Sequence, residues 1–561
     1  MSLLWQLAAH ARIRLFVALG ASVLGGFGSA SLVALINEAL TASRERRLTL
    51  ALEFAALAVL VPALRWLSQS QFLWLAQSAL MQLRVQLSRH FAHAPFSALE
   101  KSGAGKLLST LVSDAFVVSE FFVVLPRLST QGAIVLGGFG YLAYLSWRAL
   151  ALALALVVVG TLVHFAAVGQ ALGRLERARD EEDALFGHFR ALVAGAKELK
   201  LNRLRREAFV SDVLARSVES VRDDRTRGLN AFVGAGSFGA FMFFVVIGGV
   251  IFGLSTLTDV PATVRSGFAL VFLYIMFPLE DVLEAFPEFA RTNIAVDRVM
   301  EVAGGDLGAR FPRPVQAVKA EARIALEGVT HRYRREHEDG EFTFGPIDLS
   351  LAPGEVVFVV GGNGSGKTTL AKLLVGLYAP ASGRVLLDGA PIEEAQREHY
   401  RQHFSAVFSD FHLFDALLGM GEAPSTAERE ALDAAASALL VALQLDHKVQ
   451  VRGGRLSTTA LSSGQRKRLA LMVACLEDRP VCVFDEWAAD QDPVFKRVFY
   501  TEVLPALKAR GKAVLVITHD DRYFHLADRC LKLESGREVR DDAPARDRAR
   551  VRAAFADVPA S

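Results

Sequence analysis

Residues 361–369 read GGNGSGKTT, and this string constrains the fold of the chain more than any other. It matches G-x-x-x-x-G-K-[ST], a glycine-rich turn whose backbone N–H groups face a chain of phosphates. The apolar run VVFVV precedes it at 356–360, and the helix-like pattern TLAKLLVGLY overlaps its end. The sequence therefore predicts a buried strand, a phosphate-binding loop and a helix whose N-terminus meets the phosphates.

The residue types in this loop predict a role for each part of it. Lys367 is placed to reach the β- and γ-phosphates of a nucleotide, and the Thr368 hydroxyl is placed to ligate Mg²⁺. The backbone amides of 364–369 are expected to wrap the phosphate oxygens. The candidate nucleotide-binding residues of the loop are Gly361, Gly362, Asn363, Gly364, Ser365, Gly366, Lys367, Thr368 and Thr369.

Two more apolar runs end in residues that carry chemistry. VCVFDE places Asp485 near the predicted Mg²⁺ and Glu486 where a general base polarises the attacking water. AVLVITHD ends near His519. Because ligands bind at the carboxyl ends of strands in open parallel sheets, we expect His519 to hold the γ-phosphate and the water. Glu486 and His519 are thus the candidate catalytic residues, and Asp485 joins Thr368 as a candidate metal ligand.

Composition separates the chain into two parts. A chain of 561 residues is too long for one core, and 52% hydrophobic residues with a mean hydropathy of +0.30 is high for a purely soluble protein. The formal charge of +2 gives no sign of a nucleic-acid surface. The spacing of Cys475, Cys482 and Cys530 fits neither a disulfide framework nor a zinc site.

Six apolar stretches lie in the first three hundred residues. Each is long enough to cross a bilayer, which takes about 20 residues of helix. They lie near 14–37, 50–76, 118–145, 149–170, 230–254 and 264–286. No short apolar region with a small-residue cleavage site precedes them, so the sequence predicts no removable signal peptide.

The connections between these spans alternate in length. Residues 77–117 and 171–229 form long charged loops, and their Lys and Arg residues place them, both termini and the nucleotide-binding part in the cytoplasm. The short first loop also carries positive charges, which contradict this orientation: Arg44, Arg46 and Arg47. We accept the conflict because the first two helices must pair and the ATP-binding part must be cytosolic.

The long loops are too regular to be unstructured. Residues 197–214, KELKLNRLRREAFVSDVL, predict an amphipathic helix. The simplest interpretation is that the membrane helices continue into the cytosol and turn there, where the turns dock on the soluble part. The alternative is that the loops are solvated connections.

Some ionisable residues fall within or beside the spans. A charge inside a membrane is costly and faces a partner or a watery cavity. We consider two alternatives for these residues. Either they face the substrate, or they form structural ion pairs or lie beyond the bilayer. These residues are Arg65, Arg127, His164, Glu280, Asp281 and Glu284.

GGNGSGKTT, LSSGQRKRLAL, VCVFDE and the His519 strand, in this order and spacing, resemble the ATP-binding cassette of ABC transporters. LSSGQ at 461–465 is the discriminating string, because other phosphate-loop ATPases lack it. Six spans followed by one cassette are similar to an ABC exporter half-transporter, so the resemblance covers the whole chain. It implies an all-α, six-helix transmembrane domain of the type IV exporter kind, followed by an α/β P-loop ATP-binding cassette domain.

The resemblance also assigns roles to residues outside the loop. In the family, the LSSGQ string caps the γ-phosphate of ATP held by the opposite cassette. Since one chain supplies one cassette, the resemblance implies a homodimer with two ATP molecules at its interface. Tyr333 would stack on adenine and Asp492 would signal across the dimer. The signature role falls to Ser462, Ser463, Gly464 and Gln465, at the N-terminus of a helix.

The chain departs from the family pattern at several positions. Where the family usually has a glutamine that contacts Mg²⁺, FSAVFSDFHLFD has Ser409, which is therefore a third candidate Mg²⁺ ligand, and the adjacent Asp410 is the alternative. Ser463 replaces the first of two glycines, and WAADQD follows Glu486. With KELKLN at 197–202, these features resemble the subfamily that exports cyclic peptides, lipopeptides and peptide siderophores from bacteria.

The sequence thus predicts a membrane domain at 1–310, a cassette at 321–540 and a charged tail at 541–561. The predicted function is ATP-driven export of a peptide-type substrate by alternating access. The predicted location is the bacterial inner membrane, with ATP and Mg²⁺ as cofactors and no nucleic-acid partner. Two alternatives stay open: a membrane-bound ATPase that regulates or assembles a partner, and a lipid flippase.

Overall fold

The computed structural model describes residues 3, 7, 11–254, 262–304, 318–334, 341–420 and 426–542. The chain divides into two compact units. The first comprises Met1–Ala92 and Ala104–Ala309, and the second comprises His93–Gly103 and Arg310–Ser561. Almost all of the predicted tail lies outside the described residues.

The first unit is helical. Its α-helices, together with one that belongs partly to the second unit, are α1 (Arg12–Thr41), α2 (Arg44–His93), α3 (Phe96–Ser109), α4 (Ala115–Leu145), α5 (Trp147–Ala194), α6 (Ala196–Leu201), α7 (Arg203–Ala208), α8 (Ala215–Gly248) and α9 (Ala262–Val302). Wider π-helical turns occur at Thr110–Asp114, Phe209–Leu214 and Gly249–Leu254.

Six of these helices are long, and each contains one of the predicted spans. Among the described residues, four helical stretches are long and apolar enough to cross a membrane, and they lie on α1, α2, α3–α4 and α9. The predicted span at 149–170 lies on α5, and the one at 230–254 lies on α8 and the π-helical turn Gly249–Leu254. The mean hydropathy of the best 18-residue window on α2 is 1.8 with only 6% of it buried, so its apolar side chains face outward, as a lipid-facing helix requires.

The helices of the first unit pack through apolar side chains and small residues. One cluster joins α2, α4 and α9 through Phe72, Phe122 and Val299, all of which are buried. A second joins α4 and α9 around Leu142 and Phe272. Because aliphatic chains and lipid tails are equally apolar, such contacts stabilise the bundle by close packing rather than by the hydrophobic effect.

One helix prediction was wrong in detail. Residues 197–214 do not form a single helix, because the chain breaks at Asn202 between α6 and α7. Asn202 has extended backbone angles, φ −124° and ψ 104°, and its side-chain oxygen accepts a hydrogen bond from the Arg205 N–H at 3.0 Å. Asparagine is a strong N-cap, so it starts a new helix instead of continuing the old one.

The second unit is an α/β unit with two main sheets. Its strands are β1 (Ile324–Arg334), β2 (Glu341–Leu351), β3 (Val356–Val360), β4 (Ser382–Leu387), β5 (Ala390–Pro391), β6 (Phe404–Val407), β7 (Val451–Arg452), β8 (Arg455–Leu456), β9 (Val481–Asp485), β10 (Ala513–Ile517), β11 (Arg529–Glu534) and β12 (Arg537–Asp542). Its further α-helices are α10 (Lys367–Leu374), α11 (Arg397–Arg401), α12 (Thr426–Ala442), α13 (Ser463–Glu477), α14 (Pro493–Val498) and α15 (Leu504–Ala509).

The central sheet places several strand ends side by side. Its order is β12-β11-β3-β10-β9-β6, and all its strands are parallel except the edge strand β12. Every residue of β3, β9 and β10 is buried, as expected for strands covered on both faces. The carboxyl ends of these three neighbours therefore lie together at one edge, where the candidate residues follow them.

Four other strands form an antiparallel sheet of order β2-β1-β4-β5, and β7 and β8 pair in a small sheet of two strands. Its buried residues Ile324, Phe344 and Leu351 share a core with Val357 and Val359 of the central sheet. No disulfide joins the three cysteines. Burial in β9 raises the pKa of Cys482 to about 12, so this thiol stays neutral and acts as a small apolar core residue.

A piece of the first long loop belongs to the second unit. Within residues 93–103, Glu100 accepts hydrogen bonds from the Tyr378 hydroxyl at 2.6 Å and from Lys372 Nζ at 3.1 Å. Burial favours the neutral acid, but the bonds from Tyr378 and Lys372 together hold the pKa of Glu100 below its usual range. Lys372 Nζ also lies 5.1 Å from the centre of the Phe96 ring. The predicted docking of this turn is thus built from an ion pair and aromatic contacts.

Candidate functional site

The phosphate-loop motif lies between β3 and α10. Gly361 has φ 155°, and a Cβ there would lie 2.3 Å from the Leu533 carbonyl oxygen. Gly366 has φ 98°, and a Cβ there would lie 2.6 Å from the Phe344 ring. Side chains at either position would collide with neighbours that cannot move away, so the tight course of the loop requires glycine.

Two side chains of the loop are buried within it. Lys367 begins α10 and donates from Nζ to the carbonyl oxygens of Gly361 at 3.0 Å and Gly362 at 2.9 Å. Burial lowers the pKa of Lys367, against the raising effect of Glu486 and Asp485. The Ser365 hydroxyl is buried and has no hydrogen-bond partner. The loop thus holds a cation and an unpaired hydroxyl at the start of a helix, an arrangement suited to an anion.

Asp485 ends β9 beside the start of α10. Its Oδ2 accepts a hydrogen bond from the Thr368 hydroxyl at 3.0 Å, while its buried Oδ1 has no partner. Burial raises the pKa of Asp485, although the bond from Thr368 opposes the shift, and the charges of Glu486 and Asp410 raise it further. An acidic oxygen held in this way gains from a nearby cation.

Glu486 and His519 meet across the ends of β9 and β10. The Nε2 of His519 and the Oε1 of Glu486 are 3.2 Å apart. The Glu486 N–H donates to the Ile517 carbonyl at 3.1 Å, which fixes the turn after β9 to the neighbouring strand. Glu486 has φ 50° and ψ 32°, a left-handed conformation that costs a non-glycine residue about 1–3 kcal/mol. This strained turn aims the carboxylate at the edge that the phosphate loop also reaches.

The LSSGQ string begins α13. The Ser462 N–H donates to the Gln465 side-chain oxygen at 3.3 Å, which satisfies a backbone donor ahead of the first turn. The Ser463 hydroxyl donates to Asp490 Oδ2 at 3.1 Å, and the Gly464 carbonyl accepts from Gln491 Nε2 at 2.9 Å. A Cβ on Gly464 would lie 2.9 Å from the Asp490 carbonyl oxygen. The string therefore packs tightly against the segment that follows Glu486.

Comparison with known proteins identifies the family. The family model described as ABC transporter matches residues 344–489, and the model described as ABC transporter transmembrane region matches residues 13–279. The chain belongs to the ABC transporters. Its second unit is an ATP-binding cassette, and its first is a membrane-spanning helical domain of the exporter kind. The protein is a transporter that hydrolyses ATP.

Individual relatives agree with this assignment. The chain is similar to the ATP-binding protein SyrD of Pseudomonas syringae pv. syringae, with 37% identity over 96% of each chain. It is 29% identical to an ATP-dependent lipid A-core flippase of Alkalilimnicola ehrlichii over 83% of this chain and 79% of that one. A solved structure of a bacterial Atm1-family ABC exporter with ATP bound covers 99% of this chain and is itself covered completely, at 18% identity and a TM-score of 0.75. The last likeness concerns the fold.

The remaining predicted residues of this ABC transporter lie as follows. Asp492 caps α14, accepting from the Phe495 N–H at 3.0 Å, and pairs with Arg468 of α13. Its bond from the Phe495 N–H holds the pKa of Asp492 below its usual range. Tyr333 lies on β1, but its side chain falls outside the described residues.

Ser409 and Asp410 differ in their interactions. Both follow β6 and are exposed. The charge of Asp410 acts on Asp485, whose pKa it raises, whereas Ser409 makes no hydrogen bond within the described part of the chain. Of the two, only Asp410 carries a charge that acts on the acidic end of β9.

Sequence reasoning missed the residues that hold the signature in place. Lys467 is only 5% exposed, and its Nζ lies 2.9 Å from Asp490 Oδ2 and 2.9 Å from the Glu486 carbonyl oxygen. Trp487 Nε1 donates to the Lys467 carbonyl at 2.7 Å. A lysine inside an otherwise apolar helix, followed by the unusual WAADQD, was the available signal. Together these contacts, defined here as the signature clamp, join α13 to residues 486–490.

Proposed function

We propose that this ABC transporter works as a homodimer that exports a peptide-type substrate from the cytoplasm across the bacterial inner membrane. The observation that carries the proposal is the Glu486–His519 contact of 3.2 Å beside the phosphate loop. It supplies hydrolytic groups in a chain that also carries its own membrane helices. Fusion of both parts in this order resembles exporters more than importers.

The residues at the end of β9 fit a bound Mg²⁺. The orphaned, buried Oδ1 of Asp485 and the Thr368 hydroxyl beside it are hard oxygen ligands. Magnesium uses few protein ligands when phosphates complete its shell, and the described residues contain no cluster of three or more His, Cys, Asp or Glu side chains placed for a metal. Thr368 and Asp485 would hold the ion, and the charge of Asp410 acts on Asp485. When bound, the ion would neutralise phosphate charge.

The chain's own groups then divide the work of hydrolysis. The loop amides and Lys367 bind the β- and γ-phosphates of ATP. Glu486 accepts a proton as water attacks the γ-phosphorus and the bond to the β-phosphate oxygen breaks. His519, in contact with Glu486 Oε1, orients that carboxylate and the γ-phosphate oxygens. The 3.0 Å contact between Thr368 and Asp485 and the 3.2 Å contact between Glu486 and His519 support this division of roles.

The homodimer supplies the rest of each pocket. One chain has one phosphate loop and one LSSGQ string, and the family places the string over the nucleotide of the opposite cassette. Ser462, Ser463 and Gly464 lie at the N-terminus of α13, where the helix dipole favours an anion. Two chains related by a two-fold axis complete two equal pockets.

Movement of the cassettes on closure can be transmitted through α10 to the first long loop. Glu100 of residues 93–103 binds Lys372, which lies on α10, the helix that begins at the phosphate loop. A shift of α10 on nucleotide binding would therefore pull directly on this turn. We assign alternating access to this coupling between α10 and the loop.

Peptide-type cargo is supported by the LSSGQRKRLAL and KELKLN strings, which resemble the exporters of cyclic peptides, lipopeptides and peptide siderophores. A second candidate is lipid flipping. It is favoured by relatives named ATP-dependent lipid A-core flippase, at 25–29% identity over more than four fifths of this chain.

The test measures ATP hydrolysis by the purified protein in a bilayer, with peptides, siderophores and lipids added in turn. We expect stimulation by peptide-type compounds and ATP-dependent accumulation of the stimulating compound in inside-out vesicles. Stimulation by lipids alone would replace the peptide proposal with flipping. Turnover that no compound changes, with no accumulation, would favour a regulatory ATPase.

A further inference from the structure

A cavity of about 510 Å³ lies inside the membrane unit between α1, α2, α4 and α9. Gly25 and Ser29 of α1 line it, and a Cβ on Gly25 would lie 3.9 Å from the backbone nitrogen of Arg65, so α1 and α2 approach closely here. Arg65 of α2, Gln131 of α4 and Tyr274 of α9 also line the cavity and carry polar side chains. The cavity therefore combines room for a ligand group with a guanidinium in the middle of a predicted span.

The structure distinguishes Arg65 from the other charges of the spans. Arg127 lies 3.9 Å from Asp281 and 3.7 Å from Glu288, and Asp281 also accepts a 2.6 Å hydrogen bond from Gln131. These residues form a structural ion-pair network. His164 and Glu284 have side chains outside the described residues, and Glu280 interacts with another group.

Arg65 has no such partner. Within the described residues, its guanidinium makes no hydrogen bond, ion pair or ring contact. Arg65 is exposed, and a guanidinium within a membrane span is costly unless water or an anion meets it. Its planar set of N–H donors matches the oxygens of a carboxylate or a phosphate, which it binds in pairs.

We propose that this cavity is a binding subsite in which Arg65 receives an anionic group of the transported molecule, a carboxylate or a phosphate. The inference rests on the proposed export function for its cargo. It makes Arg65 a specificity-determining residue: the cavity selects acidic members of the substrate class over their neutral forms. Arg127 and Asp281 hold α4 to α9 beside it.

The experiment measures equilibrium binding to the full-length dimer in phosphatidylcholine nanodiscs without ATP. One probe is a dansyl-labelled acyl peptide with two aspartates, and its matched form has both carboxylates as methyl esters. A second pair is dansyl-labelled phosphatidic acid and dansyl-labelled phosphatidylcholine. We compare Arg65→Gln, Arg65→Lys and the control Arg265→Gln, which removes an equal charge from the first turn of α9, outside the cavity lining.

Arg65→Gln should weaken binding of an acidic probe by about tenfold or more, the loss of a charged hydrogen-bonded pair, and leave the neutral form unchanged. Arg65→Lys should restore part of the affinity, and Arg265→Gln should change neither form. Loss confined to the peptide names a carboxylate ligand, and loss confined to phosphatidic acid names a lipid phosphate. Equal binding of acidic and neutral forms by the original protein, or equal loss of both in Arg65→Gln, would overturn the proposal.

Because binding is measured without ATP, the subsite and the export function fail separately. Acid-selective binding without vesicle accumulation would refute export alone. Accumulation of peptide by an Arg65→Gln protein with unchanged preference for the acidic probe would refute the subsite alone.

Discussion

The cassette has two functional faces that are built in opposite ways. The phosphate-loop face, residues 361–369 with Asp485, Glu486 and His519, leaves buried polar atoms unpaired at Ser365 and Asp485. The signature face, residues 462–468 with 487–492, pairs its polar groups with one another through Asp490, Gln491 and Asp492. The first face is therefore organised to gain bonds from a ligand, and the second to hold its own shape.

The difference between the two faces predicts which property a substitution on each face should change. A buried polar atom without a partner is costly, and a ligand that pairs it gains that energy back on binding. A network that is already satisfied gains little from a ligand, so its residues position rather than react. Substitutions on the phosphate-loop face should change chemistry, and those in the signature clamp should change affinity and stability.

The largest expected effect is at Glu486. Glu486→Gln keeps the size of the side chain and the neighbouring strand ends but removes the proposed general base. Turnover should fall by about 10²- to 10⁴-fold, while ATP binding persists. Phosphate release and retention of labelled ATP are the two measurements. A glutamine variant that turns over like the original protein would remove Glu486 from its role.

The second prediction tests whether the two faces of one pocket come from different chains. One variant is Lys367→Ala on the phosphate-loop face, and the other is Ser463→Glu, which places a repelling carboxylate on the signature face. Dimers with one substitution on each chain should keep one complete pocket of the two, because the intact faces then meet. Dimers with both substitutions on one chain should keep none.

The measurement for these mixed dimers is the number of ATP molecules retained per dimer, with differently tagged chains purified in sequence. Activity that survives only when both substitutions share a chain would mean that each cassette completes its own pocket. That result would reject the proposed homodimeric arrangement while leaving the ATPase assignment in place.

The phosphate-loop face could be predicted from the sequence because its residues are contiguous or end neighbouring parallel strands. Glu486 and His519 follow two apolar runs, and parallel strands end at the same edge of a sheet. The six long helices followed from hydropathy in the same way. Local patterns sufficed wherever one motif or one strand end set the position.

The signature clamp and the cavity could not be predicted in that way. The Lys467–Asp490 pair depends on the left-handed turn at Glu486, and no residue type in that segment predicts this turn. The cavity around Arg65 combines residues from four helices, and hydropathy does not give the rotation of any of them. The break at Asn202 could have been predicted, since asparagine caps helices, but the charged pattern around it favoured one continuous helix.

The third prediction concerns the signature clamp. Asp490→Ala leaves the ammonium of Lys467, which is 5% exposed, without its carboxylate, and should cost about 1–3 kcal/mol of stability. The double variant Lys467→Met with Asp490→Ala should recover part of this loss, because removing both partners of a buried pair is milder than removing one. Thermal melting of the solubilised protein measures the cycle.

The same variants separate positioning from chemistry. We expect the ATP concentration for half-maximal turnover to rise in Asp490→Ala, because Ser463 loses the carboxylate that holds its hydroxyl. Nucleotide binding to the phosphate-loop face should stay unchanged. Equal effects on both faces, or a double variant that is the sum of its singles, would show that Lys467 and Asp490 do not act as a pair.

The smallest expected effect is at Trp487. Its ring is 1% exposed and stacks on Phe499 with centroids 4.3 Å apart, and its Nε1 donates to the Lys467 carbonyl at 2.7 Å. Trp487→Phe keeps an aromatic ring there but loses that bond, at about 1 kcal/mol. The melting midpoint should fall by roughly 2–4 °C. Trp147→Phe, whose ring is 69% exposed, is the matched control and should leave the midpoint unchanged. If Trp487→Phe instead lowered turnover as much as Glu486→Gln, the signature face would take part in the chemistry, and the division between the two faces would be wrong.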